Sequence, residues 1–122
     1  MPRRIVAAVE DLFFASKIRA TADSLGVELK LARSAENLIT SARERRPDLI
    51  IVDLQAQRFD PLQLAKELKV SDDLRAVPLL GFFSHVLTGL KLEAVESGFD
   101  SVLPRSAFAR DLADILAGKE SG

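Results

Sequence analysis

Short apolar runs alternate with stretches of helical spacing along the chain, and this alternation narrows the available folds more than any other feature. The runs occupy residues 5–9, 27–31, 49–52, 77–80 and 102–103. Between them, apolar residues recur at helix-face spacing, as in Phe14, Ile18, Ala22 and Leu25, or Ala35, Leu38, Ile39 and Ala42. The last such stretch is Phe108, Leu112, Ile115 and Leu116, read as a single helix. Gly26, Gly98 and Gly118 stand where a helix end needs a left-handed residue. Ser34, Ser106 and the pair Asp60 and Pro61 supply N-cap and first-turn chemistry. Pro47 and Pro78 fall at strand starts, where no ladder N–H is needed. Five βα units follow, giving one domain over residues 1–118 and a tail at 119–122. A chain of 122 residues suits a single core.

Alternating βα units imply a mainly parallel sheet between two helix layers, an α/β three-layer sandwich. Residues 5–9 and 49–52 are continuously apolar, as central strands are. Residues 27–31 alternate apolar and polar, so one face meets water and the strand belongs at an edge. That disfavours the dinucleotide-binding order 3-2-1-4-5-6, in which the second strand is central. It selects the flavodoxin-like (βα)5 order 2-1-3-4-5, with the short fifth strand at the other edge.

The residue inventory removes most catalytic classes. With no cysteine and a single histidine, His85, the chain can build no thiolate nucleophile, disulfide or multi-histidine zinc site. No Gly-x-Ser-x-Gly turn presents a serine. Seventeen Lys and Arg against eighteen Asp and Glu give a net charge of −1, which argues against nucleic acid as partner. No apolar run approaches the roughly 20 residues of a membrane span, and the start of the chain has no signal-peptide pattern. The expected compartment is the cytoplasm, and carboxylates are the expected seat of any chemistry.

In an open α/β sheet, functional groups gather beyond the C-terminal strand ends at the switch point between the first and third strands. Those ends carry Glu10, Asp11 and Asp53. Three carboxylates at one crevice raise each other's proton affinity or attract a divalent cation. Asp11 also fits a helix N-cap.

Residues 47–54, Pro-Asp-Leu-Ile-Ile-Val-Asp-Leu, together with Val9-Glu10-Asp11 and the intervals from Glu10 to Gly26 and from Pro78 to Gly98, resemble the receiver domain of two-component response regulators. The resemblance runs over nearly all of the chain. It implies that Asp53 is the phosphoacceptor, that Glu10, Asp11 and Asp53 hold Mg²⁺, and that Asp60 opens the third helix. It also implies a histidine kinase or other signalling protein as partner. The partner face would be built from the fourth helix, fifth strand and fifth helix, with Leu87, Leu90, Val102 and Arg105, and could also support a homodimer.

Several positions depart from the family pattern. Val9 stands where the acidic cluster begins, Phe83 where a Thr or Ser hydroxyl ends the fourth strand, and Arg105 where the family has lysine. Pro104 precedes that basic residue instead of following it, and Val102 occupies the aromatic switch position in a chain without tyrosine. Phosphoryl transfer to a carboxylate relies on metal and cation clamps. Mg²⁺ needs only one or two protein carboxylates, so weak binding is still expected. Arg105 keeps the charge without the compact ammonium, and Phe83 donates no hydrogen bond. The expectation is a receiver-like, non-enzymatic signalling module with an impaired site and switch, at most catalysing its own phosphorylation. A phosphorylation-independent pseudo-receiver is the alternative. A flavodoxin-like small-ligand binder is a weaker one, since no Gly-rich phosphate loop follows the first strand.

Phe82 and Phe83 cannot share one face of a strand; one belongs in the core, and Phe83 in the crevice would plug it. His85 reads as a solvated loop residue, and Arg43, Arg45 and Arg46 as a solvated helix end favoured by the helix dipole.

Overall fold

The computed structural model describes residues 2–84 and 89–119; the readings attached to His85 and Leu87 fall outside them. The elements in order are β1 (Arg4–Ala8), α1 (Leu12–Leu25), β2 (Glu28–Ala32), α2 (Ala35–Glu44), β3 (Leu49–Asp53), α3 (Pro61–Val70), β4 (Leu79–Phe83), α4 (Leu90–Ser97), β5 (Ser101–Pro104), α5 (Arg105–Arg110) and α6 (Leu112–Ala117). All strand pairs are parallel and the order is β2-β1-β3-β4-β5, as the burial pattern of residues 27–31 required.

Strand alternation divides the core between the two sheet faces. Val6, Ala8, Ile50, Val52, Leu79 and Val102 face a layer formed by α2, α3 and α4. Ile5, Ala7, Leu49, Ile51, Leu80 and Phe82 face α1, α5 and α6. On that second face Phe14, Phe82 and Phe108 form a compact trio. The rings of Phe82 and Phe108 stack at 5.0 Å between centroids, and Phe14 meets both edge-on at 5.1 and 5.4 Å. Such pairs add about 0.5–1.5 kcal/mol each beyond area burial.

Helix boundaries follow local chemistry. Asp11, Ser34 and Asp60 cap α1, α2 and α3 through side-chain oxygens that accept backbone N–H groups. The expected Ser106 cap is absent: α5 already starts at Arg105, after the extended Pro104, and no side chain caps it. The final helix is also two pieces, interrupted at Asp111, whose carboxylate turns back to the guanidinium of Arg110. The fourth strand starts two residues later than the sequence suggests, because Val77 and Pro78 belong to the preceding turn, and it runs on through Phe83.

The arginines after α2 do more than soften a helix dipole. Arg45 pairs with Glu28, Arg43 pairs with Asp73, and the backbone carbonyl of Arg45 accepts from the buried Arg4. Arg4 also pairs with Glu28 at 2.7 Å, which ties β1, β2 and the end of α2 together at the N-terminal edge of the sheet.

In β4, the missing side chain of Gly81 makes room for Leu54. A Cβ at residue 81 would stand 2.8 Å from a Leu54 methyl. Gly81→Ala is expected to lower unfolding stability by about 1–3 kcal/mol through overpacking. Chemical denaturation should show that Leu54→Ala in the same chain costs less than the sum of the two single changes.

Candidate functional site

Pairing of β1 with β3, with Ala8 opposite Val52, brings the residues that leave both strands to one crevice. Glu10 and Asp11 follow β1 and Asp53 ends β3, so all three carboxylates are neighbours, as expected. Each has a separate set of partners.

Asp53 is half-buried. Its Oδ1 accepts from the N–H of Gln55 at 2.9 Å. Burial pushes its pKa above the usual carboxylate value, against the N–H groups of Gln55 and Glu10; the charges of Glu10 and Asp11 push the same way as burial.

Asp11 is satisfied on both oxygens. Oδ1 accepts from the N–H groups of Phe13 and Phe14, at 2.9 and 3.1 Å, and Oδ2 meets the Arg105 guanidinium at 2.7 Å. The N–H of Phe14, with Arg105 and the N–H of Phe13 adding to it, holds the Asp11 pKa below the ordinary range despite some desolvation. Arg105 lies over the Phe14 ring at 4.6 Å, so the residue in the lysine position is fixed by both Asp11 and an aromatic face.

Glu10 reaches across the crevice to the loop after β3. Its Oε1 accepts from the N–H of Gln57 and of Arg58, both at 2.7 Å, and Oε2 accepts from Gln57 at 2.9 Å. The same loop is tied to β4 by Gln55, whose Oε1 accepts from the N–H of Ser84 at 2.6 Å. Sequence reasoning had assigned no role to Gln55, Gln57 or Arg58. Two of the three contribute only backbone donors, which leave no trace in residue identity.

Phe83 is half-buried against the α2–α4 cluster. Strand alternation puts it on the same sheet face as Val102 and opposite the face that Asp53 shares with Phe82. The ring thus packs on the Val102 side of the sheet instead of entering the carboxylate crevice. Val102 itself is 6 % exposed and Leu90 half-buried, so neither lies open on the α4–β5–α5 face. The short edge strand is covered by α4; the apolar residues that α4 does expose are Leu92 and Val95.

Among the described residues no three Asp, Glu, His or Cys side chains converge as metal ligands. A divalent cation would have to compete with the Gln57 and Arg58 amides for Glu10 and with Arg105 for Asp11. No described helix is long and apolar enough to cross a membrane.

A parallel β2-β1-β3-β4-β5 sheet with acidic groups gathered at the β1 and β3 ends is the fold that receiver domains share. No family model matches the chain. Among curated proteins it is 25% identical over 105 residues to the polar-differentiation response regulator DivK of Brucella anthropi, covering 86% of this chain and 85% of that one. Among solved structures it superimposes on the chemotaxis response regulator CheY4 of Vibrio cholerae with TM-score 0.83 at 17% identity, covering 97% of this chain and 98% of that one. The receiver domain of the sensor histidine kinase PA1611 of Pseudomonas aeruginosa, solved with magnesium in its active-site cleft, gives TM-score 0.80 at 20% identity, over 98% and 100% of the two chains. The chain is thus similar in sequence to response regulators and has the fold of receiver domains.

The burial of Asp53 has a measurable sign. A carboxyl whose folded pKa is raised favours the folded state while protonated, and loses that advantage as pH rises through the folded value. Asp53→Asn removes the desolvated charge and keeps an oxygen for the Gln55 amide. Thermal melts should show the variant more stable than the parent at pH 7, with the difference vanishing below the ordinary aspartate pKa.

Proposed function

We propose that the chain is a receiver-like signalling module whose acceptor site is held closed by its own groups, with output through protein contact. The observation that carries this reading is the engagement of both acidic groups beside Asp53: Glu10 holds the β3–α3 loop by its amides, and Asp11 holds Arg105. Asp53 is the phosphoacceptor-like residue, and Arg105 is the cation nearest in role to the family lysine. Mg²⁺ affinity is weak because binding has to break one of these contacts. If the cation is displaced into place, Glu10, Asp11 and Asp53 are the side chains that hold it, and the charge it supplies offsets repulsion between an incoming phosphoryl group and the carboxylates.

The coupling of acceptor to surface differs from a hydroxyl–aromatic switch. Phe83 cannot follow a phosphoryl oxygen by hydrogen bonding, and Val102 has no polar end to move. The kinase or other signalling partner is assigned to the α4–β5–α5 side, where Leu92 and Val95 stand exposed; a second copy of the chain could use the same surface. A pseudo-receiver that never takes a phosphoryl group is favoured over a working relay by Arg105 being committed to Asp11 and Phe14 instead of to Asp53.

Incubation with acetyl phosphate and Mg²⁺ followed by intact-mass measurement tests this. The parent chain should show little or no adduct of about 80 Da, the mass of one phosphoryl group. Stoichiometric modification that disappears in Asp53→Asn would overturn the closed-site reading. Glu10→Gln should loosen the Gln57 and Arg58 amides and speed their hydrogen exchange by about tenfold, since charge-assisted bonds are roughly twice as strong as neutral ones.

A further inference from the structure

On the β2 side of the carboxylate crevice lies a cleft of about 340 Å³ between the loops that follow β1, β2 and β3. Its apolar wall is Val9, Leu12 and Phe59, and its rim carries Arg33 and Arg58. Neither guanidinium has an ion-pair partner among the described residues. Glu10 also borders the cleft, but its carboxylate is turned to the Gln57 and Arg58 amides. The apolar wall continues outward: Leu12 is 81 % exposed and the next residue, Phe13, is 90 % exposed. Two adjacent large apolar side chains so fully exposed at the start of a helix are the kind of patch that marks an interaction site.

We propose that this cleft docks an acidic, apolar segment of a partner protein, its carboxylates meeting Arg33 and Arg58 and its apolar side chains covering Leu12, Phe13 and Phe59. Charge and shape select this occupant. Two unpaired guanidiniums suit planar carboxylates, which arginine binds through paired hydrogen bonds. A small anion would fill the cleft and leave Phe13 in water, whereas a chain segment covers both. Nucleic acid is opposed by the net charge of −1 and by aromatic residues that are all phenylalanine, with Phe14, Phe82, Phe99 and Phe108 buried. The surface lies apart from α4 and β5 and does not depend on Asp53 accepting a phosphoryl group.

The test is fluorescence anisotropy with a labelled peptide alternating Asp or Glu with Leu and Phe, titrated into the full chain. A second peptide carries Lys in place of each acid. The acidic peptide should bind at least about tenfold more tightly than the basic one, and the preference should shrink as salt is raised. Arg33→Glu with Arg58→Glu should weaken the acidic peptide by about tenfold or more, and Leu12→Ser should weaken it independently. Val70→Ser, an exposed apolar residue at the end of α3, should leave it unchanged. Amide shifts on titration should centre on Leu12, Arg33, Arg58 and Phe59. Absence of binding by the acidic peptide, equal binding of the two peptides, unchanged affinity in the double charge reversal, or shifts centred on α4 would each overturn the proposal.

Discussion

The pairing of β1 with β3 is the constraint on which the rest of the molecule depends. Both strands are buried on both faces, so their register is fixed by apolar packing and cannot slip without exposing the core. Because the pairing is parallel, their C-terminal ends emerge side by side. Carboxylates that repel one another are therefore brought together by an energy that has nothing to do with them. The sheet supplies the burial, and the loops have to manage the charge.

They do so by a different device for each residue. Asp11 is neutralised by a helix start and a guanidinium. Glu10 is turned to main-chain amides of a neighbouring loop. Asp53 has two amides against burial and two like charges, and its proton affinity rises. The raised proton affinity falls on the residue at the strand end, where the receiver resemblance puts the acceptor. It also leaves the positive charge of Arg105 directed away from that residue, toward Asp11 and the Phe14 ring.

The strand order was readable because it rests on periodicity: strict alternation at residues 27–31 announces an edge, and unbroken apolar runs announce the centre. The three carboxylates were readable because topology alone sends them to one place. What could not be read was how they are occupied. The grip of Glu10 on the β3–α3 loop uses backbone donors, and any residues at 57 and 58 except proline could provide them. Val102 is put on the partner face by the receiver resemblance alone, whereas here it is buried beneath α4. The split at Asp111 escaped notice because the apolar spacing on either side continues across the break. Phe83 was readable as a lost hydroxyl but not as a ring packed on the opposite face from Asp53, since the strand end and its register are set by the preceding turn.

Leu54, seated in the gap left by Gly81, gives the fold a mechanical property. The residue immediately after Asp53 is keyed into the neighbouring strand with no polar group between them. Gly81 stands opposite Val102 in β5, so Leu54, Gly81 and Val102 lie in one tooth-and-gap row that runs from the end of β3 toward the underside of α4. The acidic crevice and the outer edge of the sheet are therefore joined by continuous apolar packing, with Leu54 as its first member.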